Sequence, residues 1–115
     1  MKKIINSLLL IFILLNSSAY AIGMGDFIKV KWKGNYYDAH IIEKSDANFR
    51  IHYKGYDHSW DEWITLERAR IKVLWKNKWY KARVLESSGS RVKIHYDGYG
   101  SNWDEWITLD RVRSY

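Results

Sequence analysis

Between Phe27 and Lys33 apolar and charged residues take turns. Ile28, Val30 and Trp32 fall on one face and Lys29, Lys31 and Lys33 on the other, with Phe27 departing from the alternation. Gly34-Asn35 follows as a turn signal, and Asn77-Lys78 holds the same place later in the chain. Tyr36–Glu43 predicts a second strand, with Tyr37, Ala39 and Ile41 on one face. Phe49–Lys54 predicts a third, with Phe49, Ile51 and Tyr53 on one face and Arg50, His52 and Lys54 on the other. A loop bearing Gly, Asp and Ser runs from Gly55 to Ser59. Trp60–Thr65 then predicts a short fourth strand, and Leu66–Ala69 a single helical turn. Strands this short and evenly spaced, with no helical period between them, indicate a small curved sheet or barrel.

The same pattern then repeats. Ile28–Arg70 aligns with Ile71–Arg113 without a gap, and 23 of the 43 positions are identical. Ile51-His52-Tyr53 recurs as Ile94-His95-Tyr96, and the run Trp-Asp-Glu-Trp-Ile-Thr-Leu occurs at Trp60–Leu66 and again at Trp103–Leu109. This is a duplication. No linker separates the copies, because Arg70 ends one and Ile71 begins the next. The expected organisation is therefore 1–21 as a targeting segment, 22–70 as the first barrel and 71–115 as the second.

Composition sharpens this picture. A unit of about 43 residues is marginal alone, since so short a chain buries little surface. There is no Cys to staple it, and 17% of the 115 residues are aromatic, so aromatic side chains must fill much of the core. The lack of Cys also removes thiolate nucleophiles, thiolate metal sites and a lipoprotein anchor. Lys2 and Lys3, the apolar run Leu8–Leu15 and the small residues of Ala19-Tyr20-Ala21 form a signal-peptide pattern. The run is too short to span a bilayer. Cleavage is expected after Ala21, giving an exported, periplasmic or secreted protein with no membrane contact once the signal is removed. Losing Lys2 and Lys3 takes the net charge from +6 to +4, a mildly basic balance that permits polyanion contact without demanding it.

Trp32, Tyr37-Asp38-Ala39, His52-Tyr53-Lys54-Gly55-Tyr56 and Trp60-Asp61-Glu62-Trp63-Ile64 form a spaced motif. It recurs as Trp75, Tyr80-Lys81-Ala82, His95-Tyr96-Asp97-Gly98-Tyr99 and Trp103-Asp104-Glu105-Trp106-Ile107. The motif resembles the Tudor-knot or chromo-barrel domains of the Tudor/chromo/Agenet superfamily. The resemblance implies an all-β fold, here two tandem small SH3-like barrels of about five strands each. Many such domains read methylated lysine or arginine, and others bind RNA or DNA. Carried over by position, the resemblance implies a methyl-ammonium cage from Tyr37, Tyr53, Tyr56 and Trp60, and a second from Tyr80, Tyr96, Tyr99 and Trp103. An export signal sets this chain apart from the chromatin- and RNA-directed members.

Such a cage attracts a weakly hydrated cation to the negative faces of its rings, at roughly 0.5–2 kcal/mol per contact. Asp61, Glu62, Asp104 and Glu105 adjoin the cage Trp positions and are candidates for an acidic lining. The same aromatics could instead fill a core, and for Tyr53, Tyr56 and Trp60 both roles stay open. Trp63 and Trp106, inside strands beside Ile, are assigned to the core. Trp32 and Trp75 are assigned to core or edge packing rather than to the ligand. His52 and His95 are expected to face solvent or make hydrogen bonds, one per copy with no ligand set around it, so no metal site is expected. Asp97–Asp104 does not fit a calcium loop. Asp61 and Glu62 point to opposite faces and cannot act as an acid/base pair. Ser59 and Ser88 lack arranged His and acid partners. No phosphate loop occurs. The expectation is a non-enzymatic binding module without a cofactor, taking a peptide or protein ligand bearing a methylated cation. Two alternatives stand beside it. One is nucleic acid or another polyanion, met by Lys29, Lys31, Lys33, Lys72, Lys76, Lys78 and Lys81 with stacking aromatics. The other is an envelope adaptor for protein or glycan. Oligomeric state does not follow from the sequence.

Overall fold

The computed structural model describes residues 21–115. The targeting segment expected over 1–21 lies, but for Ala21, outside the described residues. Strands β1 (Phe27–Trp32), β2 (Asn35–Ser45), β3 (Asn48–Tyr53) and β4 (Glu62–Thr65) form one antiparallel sheet in that order. Strands β5 (Ile71–Trp75), β6 (Lys78–Ser88), β7 (Arg91–Tyr96), β8 (Glu105–Thr108) and β9 (Val112–Ser114) form the other, in the order β8-β7-β6-β5-β9. Single 3₁₀ turns at His58–Trp60, Leu66–Arg68, Ser101–Trp103 and Leu109–Arg111 flank β4 and β8. No helix among the described residues is long and apolar enough to cross a membrane. The fold is thus all-β, two small barrel-like units in tandem.

The turns sit one residue earlier than expected. Trp32 pairs with Asn35 and Trp75 with Lys78, so Lys33-Gly34 and Lys76-Asn77 are the central pairs. All four residues have positive φ, between 46° and 85°, as a two-residue hairpin turn matched to strand twist requires. A bulge interrupts each long second strand, between Ile41 and Glu43 and between Val84 and Glu86. It bends that strand so that one sheet can curl.

Each barrel closes on its own first strand. In the second unit β9 pairs with β5, placing Val112 opposite Val73. In the first unit Ala69 bridges Val30, and the Arg70 amide donates to the Lys29 carbonyl at 3.1 Å. The chain then runs straight on into β5, so the closing segment of one barrel is the entry to the next. This explains the missing linker. The barrels also touch elsewhere: the Ala47 amide donates to the Gly89 carbonyl at 3.1 Å, and the Ser114 hydroxyl to the Phe27 carbonyl.

The buried side chains form one cluster spanning both units: Ile28, Val30, Ala39, Ile41, Phe49 and Ile51 with their counterparts, closed by Tyr53 and Tyr96. Ile22, ahead of β1, is buried with them. No described polar residue is buried whole, although the Asp61 side chain is only 3% exposed. Sharing one core answers the small size of the units, because each lends the other apolar surface that it could not cover alone.

Trp63 and Trp106 depart from expectation, at 48% and 42% exposed. In each of these short strands the inward position goes to the following Ile64 or Ile107, and alternation turns the Trp outward. Phe49→Ala is therefore expected to cost about 3–5 kcal/mol in urea unfolding. Trp63→Ala is expected to cost no more than about 1 kcal/mol. A reversed ranking would contradict this assignment of the core.

Candidate functional site

Five aromatic side chains of the first barrel surround one cavity of about 60 Å³: Trp32, Tyr37, Tyr53, Tyr56 and Trp60. A matching cavity of about 60 Å³ in the second is lined by Trp75, Tyr80, Tyr96, Tyr99 and Trp103. The structure thus brings together the four positions singled out in each copy and adds a fifth. Trp32 and Trp75, assigned above to packing, are walls. Each ends its first strand beside the tight hairpin turn, and its appearance in both copies at that strand end is the signal that could have marked it.

The rings form a closed circuit in the first barrel. Trp32 meets Tyr37 at 6.1 Å between centroids, Tyr37 meets Tyr56 at 6.2 Å, Tyr56 meets Trp60 at 6.4 Å, and Trp60 returns to Trp32 at 5.9 Å. Interplanar angles of 69–83° make every contact edge-to-face. This arrangement suits the ring quadrupoles and turns successive faces around a common centre. Tyr53 touches both Tyr37 and Tyr56 from below, and at 6% exposed it is the floor. Tyr56 and Trp60, each about half exposed, form the rim. The second cup has the same five walls, with Trp75–Trp103 at 5.9 Å and Tyr80–Tyr99 at 6.2 Å, its circuit open between Tyr99 and Trp103.

Local structure sets each ring. Tyr37 lies on β2 opposite Val30. Tyr53 ends β3, and the Tyr56 amide returns to the Tyr53 carbonyl at 3.2 Å across a turn through Gly55, whose φ of 83° favours glycine. Gly98 holds the same conformation at φ 82°. Trp60, expected to open a strand, instead ends the 3₁₀ turn His58–Trp60. Asp57 caps that turn by accepting from the Ser59 amide at 3.0 Å. The turn carries the indole to the half-exposed rim.

The floor is held from behind. The Tyr53 hydroxyl donates to Glu62 Oε2 at 2.7 Å, and Arg68 donates to both Glu62 oxygens at 2.8 and 3.1 Å. Arg68 also donates to the Tyr53 oxygen at 3.2 Å and, through Nε, to the Lys31 carbonyl at 3.0 Å. Tyr96, Glu105 and Arg111 repeat the network, with Arg111 Nε bonded to the Leu74 carbonyl at 2.9 Å. Arg68 and Arg111 were not singled out from sequence. Their shared position near the end of each copy is the available clue, but it does not say that the guanidinium reaches across to β1 or β5. Burial, reinforced by the Glu62 hydrogen bond and charge, pushes the Tyr53 phenol up to about 12, and the same causes raise Tyr96. Hydrogen bonding from Arg68 holds Glu62 below the usual carboxylate range. At Glu105 burial opposes the shift, but the bonds from Arg111 and Tyr96 prevail and the value is again lowered.

These contacts correct the expected acidic lining. Glu62 and Glu105 stand behind the floor, neutralised by arginine, and are not among the residues lining either cavity. Asp61 and Asp104 turn the other way, accepting from His52 Nδ1 and His95 Nδ1, each at 2.7 Å. The cup walls are aromatic throughout. Asp61 accepts a second imidazole as well, with His58 Nδ1 at 2.9 Å. His52 of the first copy is thus not the isolated histidine expected from sequence. Of the lysines, Lys33 and Lys76 lie over the Trp32 and Trp75 rings at 4.8 Å, Lys72 and Lys81 flank Tyr115, and Lys29 pairs with Asp38.

Residues 22–71 and again 67–114 match the family model described as Tudor-knot, the RNA binding activity-knot of a chromodomain. A search of curated proteins gave no match.

Because Glu62 and Glu105 have lowered values, their contribution to stability is present above the ordinary carboxylate pKa, about 4.3, and is lost as pH falls through the folded value. Chemical denaturation as a function of pH should therefore show stability declining below about pH 5. A Glu62→Gln/Glu105→Gln variant should be weaker at neutral pH and decline less steeply in acid. Identical acid slopes would show that the network contributes nothing to the linkage.

Proposed function

The chain belongs to the Tudor-knot family, whose domains are binding modules, and we propose that each of its two aromatic cups holds one methylated or quaternary ammonium group. The observation that carries this reading is the cup of five aromatic rings, present twice, with no charged residue in either lining. An ordinary ammonium would lose hydration there with no carboxylate in the lining to replace it. A methylated cation is weakly hydrated and gains from several ring faces together. Floor rings held by Arg68 and Arg111, and walls packed edge-to-face, keep the ordering cost of binding low. The ligand is a methylated side chain of a peptide or protein, held without chemistry, and the chain works outside the cytoplasm after export.

Nucleic acid is the second reading. It is favoured by the RNA binding in the family's description and by lysines poised over the outer walls of both cups. In that arrangement bases would stack on exposed Trp60 and Trp103 while lysines met phosphate.

Calorimetric titration separates the two. A trimethyl-lysine peptide is expected to bind at least about tenfold more tightly than its unmodified twin, since 1.4 kcal/mol suffices for that ratio. Binding should survive added salt and vanish in a Trp60→Ala/Trp103→Ala variant. A silent methylated peptide, together with an oligoribonucleotide whose affinity falls steeply with salt, would replace the first reading by the second.

A further inference from the structure

Three of the chain's four histidines belong to the first repeat, and the structure gathers them on one patch. His40 and His52 are cross-strand partners on β2 and β3, with ring centroids 5.4 Å apart. His58, at the start of the 3₁₀ turn, lies over His52 at 4.4 Å with a 38° tilt. Between them sits Asp61. Its side chain is 3% exposed, and its two oxygens each face a different imidazole, His52 Nδ1 at 2.7 Å and His58 Nδ1 at 2.9 Å. One donor atom from each of these three residues lies within 4.8 Å of the others. The patch is separate from the cup, since none of the three lines the cavity.

The geometry points to a binding site for a divalent transition ion of the zinc, copper or nickel class, held by His52, His58 and Asp61. Two imidazole nitrogens and a carboxylate oxygen are the donors these ions prefer. In a tetrahedral site with bonds of about 2.0 Å the donors stand about 3.3 Å apart, so the Nδ1–oxygen contacts would open by about 0.5 Å while the widest donor pair, within 4.8 Å, draws together. Each ring stays neutral. Its proton passes from Nδ1 through solvent to Nε2, and the freed Nδ1 lone pair takes the metal. Asp61 is already ionised and contributes the negative charge. His58 is 82% exposed, so the site opens to solvent, leaving a fourth position to water.

The second repeat marks what is special here. The His95–Asp104 pair survives there at 2.7 Å, but Ser101 stands in place of His58 and Arg83 in place of His40. A histidine–aspartate pair common to both copies reads as a brace for the fold. In the first copy a second imidazole, His58, bonds the other oxygen of the same carboxylate, and His40 stands beside His52. His58 turns the brace into a chelating set. An ion bound there would also fix the turn His58–Trp60, whose last residue is the rim Trp of the first cup.

The test is zinc titration of the chelator-stripped protein by calorimetry, with long-range ¹H–¹⁵N spectra of the imidazoles. Wild type is expected to bind one ion per chain, with shifts at His52 Nδ1 and His58 Nδ1 and none at His95. His58→Ser, which installs the residue of the second repeat, should lower affinity at least tenfold without changing thermal unfolding of the metal-free protein, and His95→Ala should bind as wild type does. Should His58→Ser fold poorly, the imidazole spectra of wild type decide alone. No saturable binding, equal affinity in His58→Ser, or shifts confined to His95 would overturn the proposal. Its failure would leave the cups untouched, because they are tested with a different ligand.

Discussion

Tyr53 and Tyr96 must satisfy two surroundings at once, and much of the molecule follows from that constraint. Each ring is the last side chain of the core and the floor of a cup. A phenol buried on its apolar side still needs a partner for its hydroxyl. Glu62 and Glu105 supply it, and a carboxylate in such a place requires a cation, which Arg68 and Arg111 provide. Each guanidinium also bonds a carbonyl of the first strand, tying the end of the repeat back to its beginning. The network therefore closes the barrel and fixes the floor, with every member satisfied.

Around that floor the walls come from elements with different local demands. A tight hairpin turn ends the strand that carries Trp32, a glycine at positive φ reverses the chain before Tyr56, and a capped 3₁₀ turn raises Trp60. The wall rings are the same in both copies, and the copies differ in the turn beneath the rim. The divergence lies there: Asp57 caps the turn of the first copy, whereas Gly100 offers no side chain to the second. Of the clustered histidines, His58 lies on that same turn of the first copy.

Much of this was legible in the sequence. Alternation along β1, β2 and β3 gave the inward residues Ile28, Val30, Ala39, Ile41, Phe49 and Ile51, because a half-buried strand imposes a period of two. The duplication gave the two-unit organisation. The spacing of Tyr37, Tyr53, Tyr56 and Trp60 carried the resemblance, and the structure places those four around one cavity. What escaped depended on side chains meeting across the sheet. Trp32 reaches the cup from β1, Arg68 reaches Tyr53 from 15 residues away, and His58 reaches Asp61 from a turn read as a loop. Trp63 was misplaced for a different reason. In a strand of four residues one step of register reverses inside and outside, and Ile64 took the inward place. The acidic lining failed because Glu62 and Asp61 had stronger claims upon them than an empty cup, a guanidinium for one and imidazoles for the other.

The most direct test of the cups as cation sites is an NMR spectrum of ¹³C-methyl tetramethylammonium in the presence of the protein. Methyl protons enclosed by five ring faces should shift upfield through ring currents. They should also give nuclear Overhauser contacts to Trp32, Tyr37, Tyr56 and Trp60 and to their counterparts in the second cup. An unshifted methyl signal at saturating protein, with no contact to any of those rings, would mean that the aromatics only pack against one another and that the cups hold no cation.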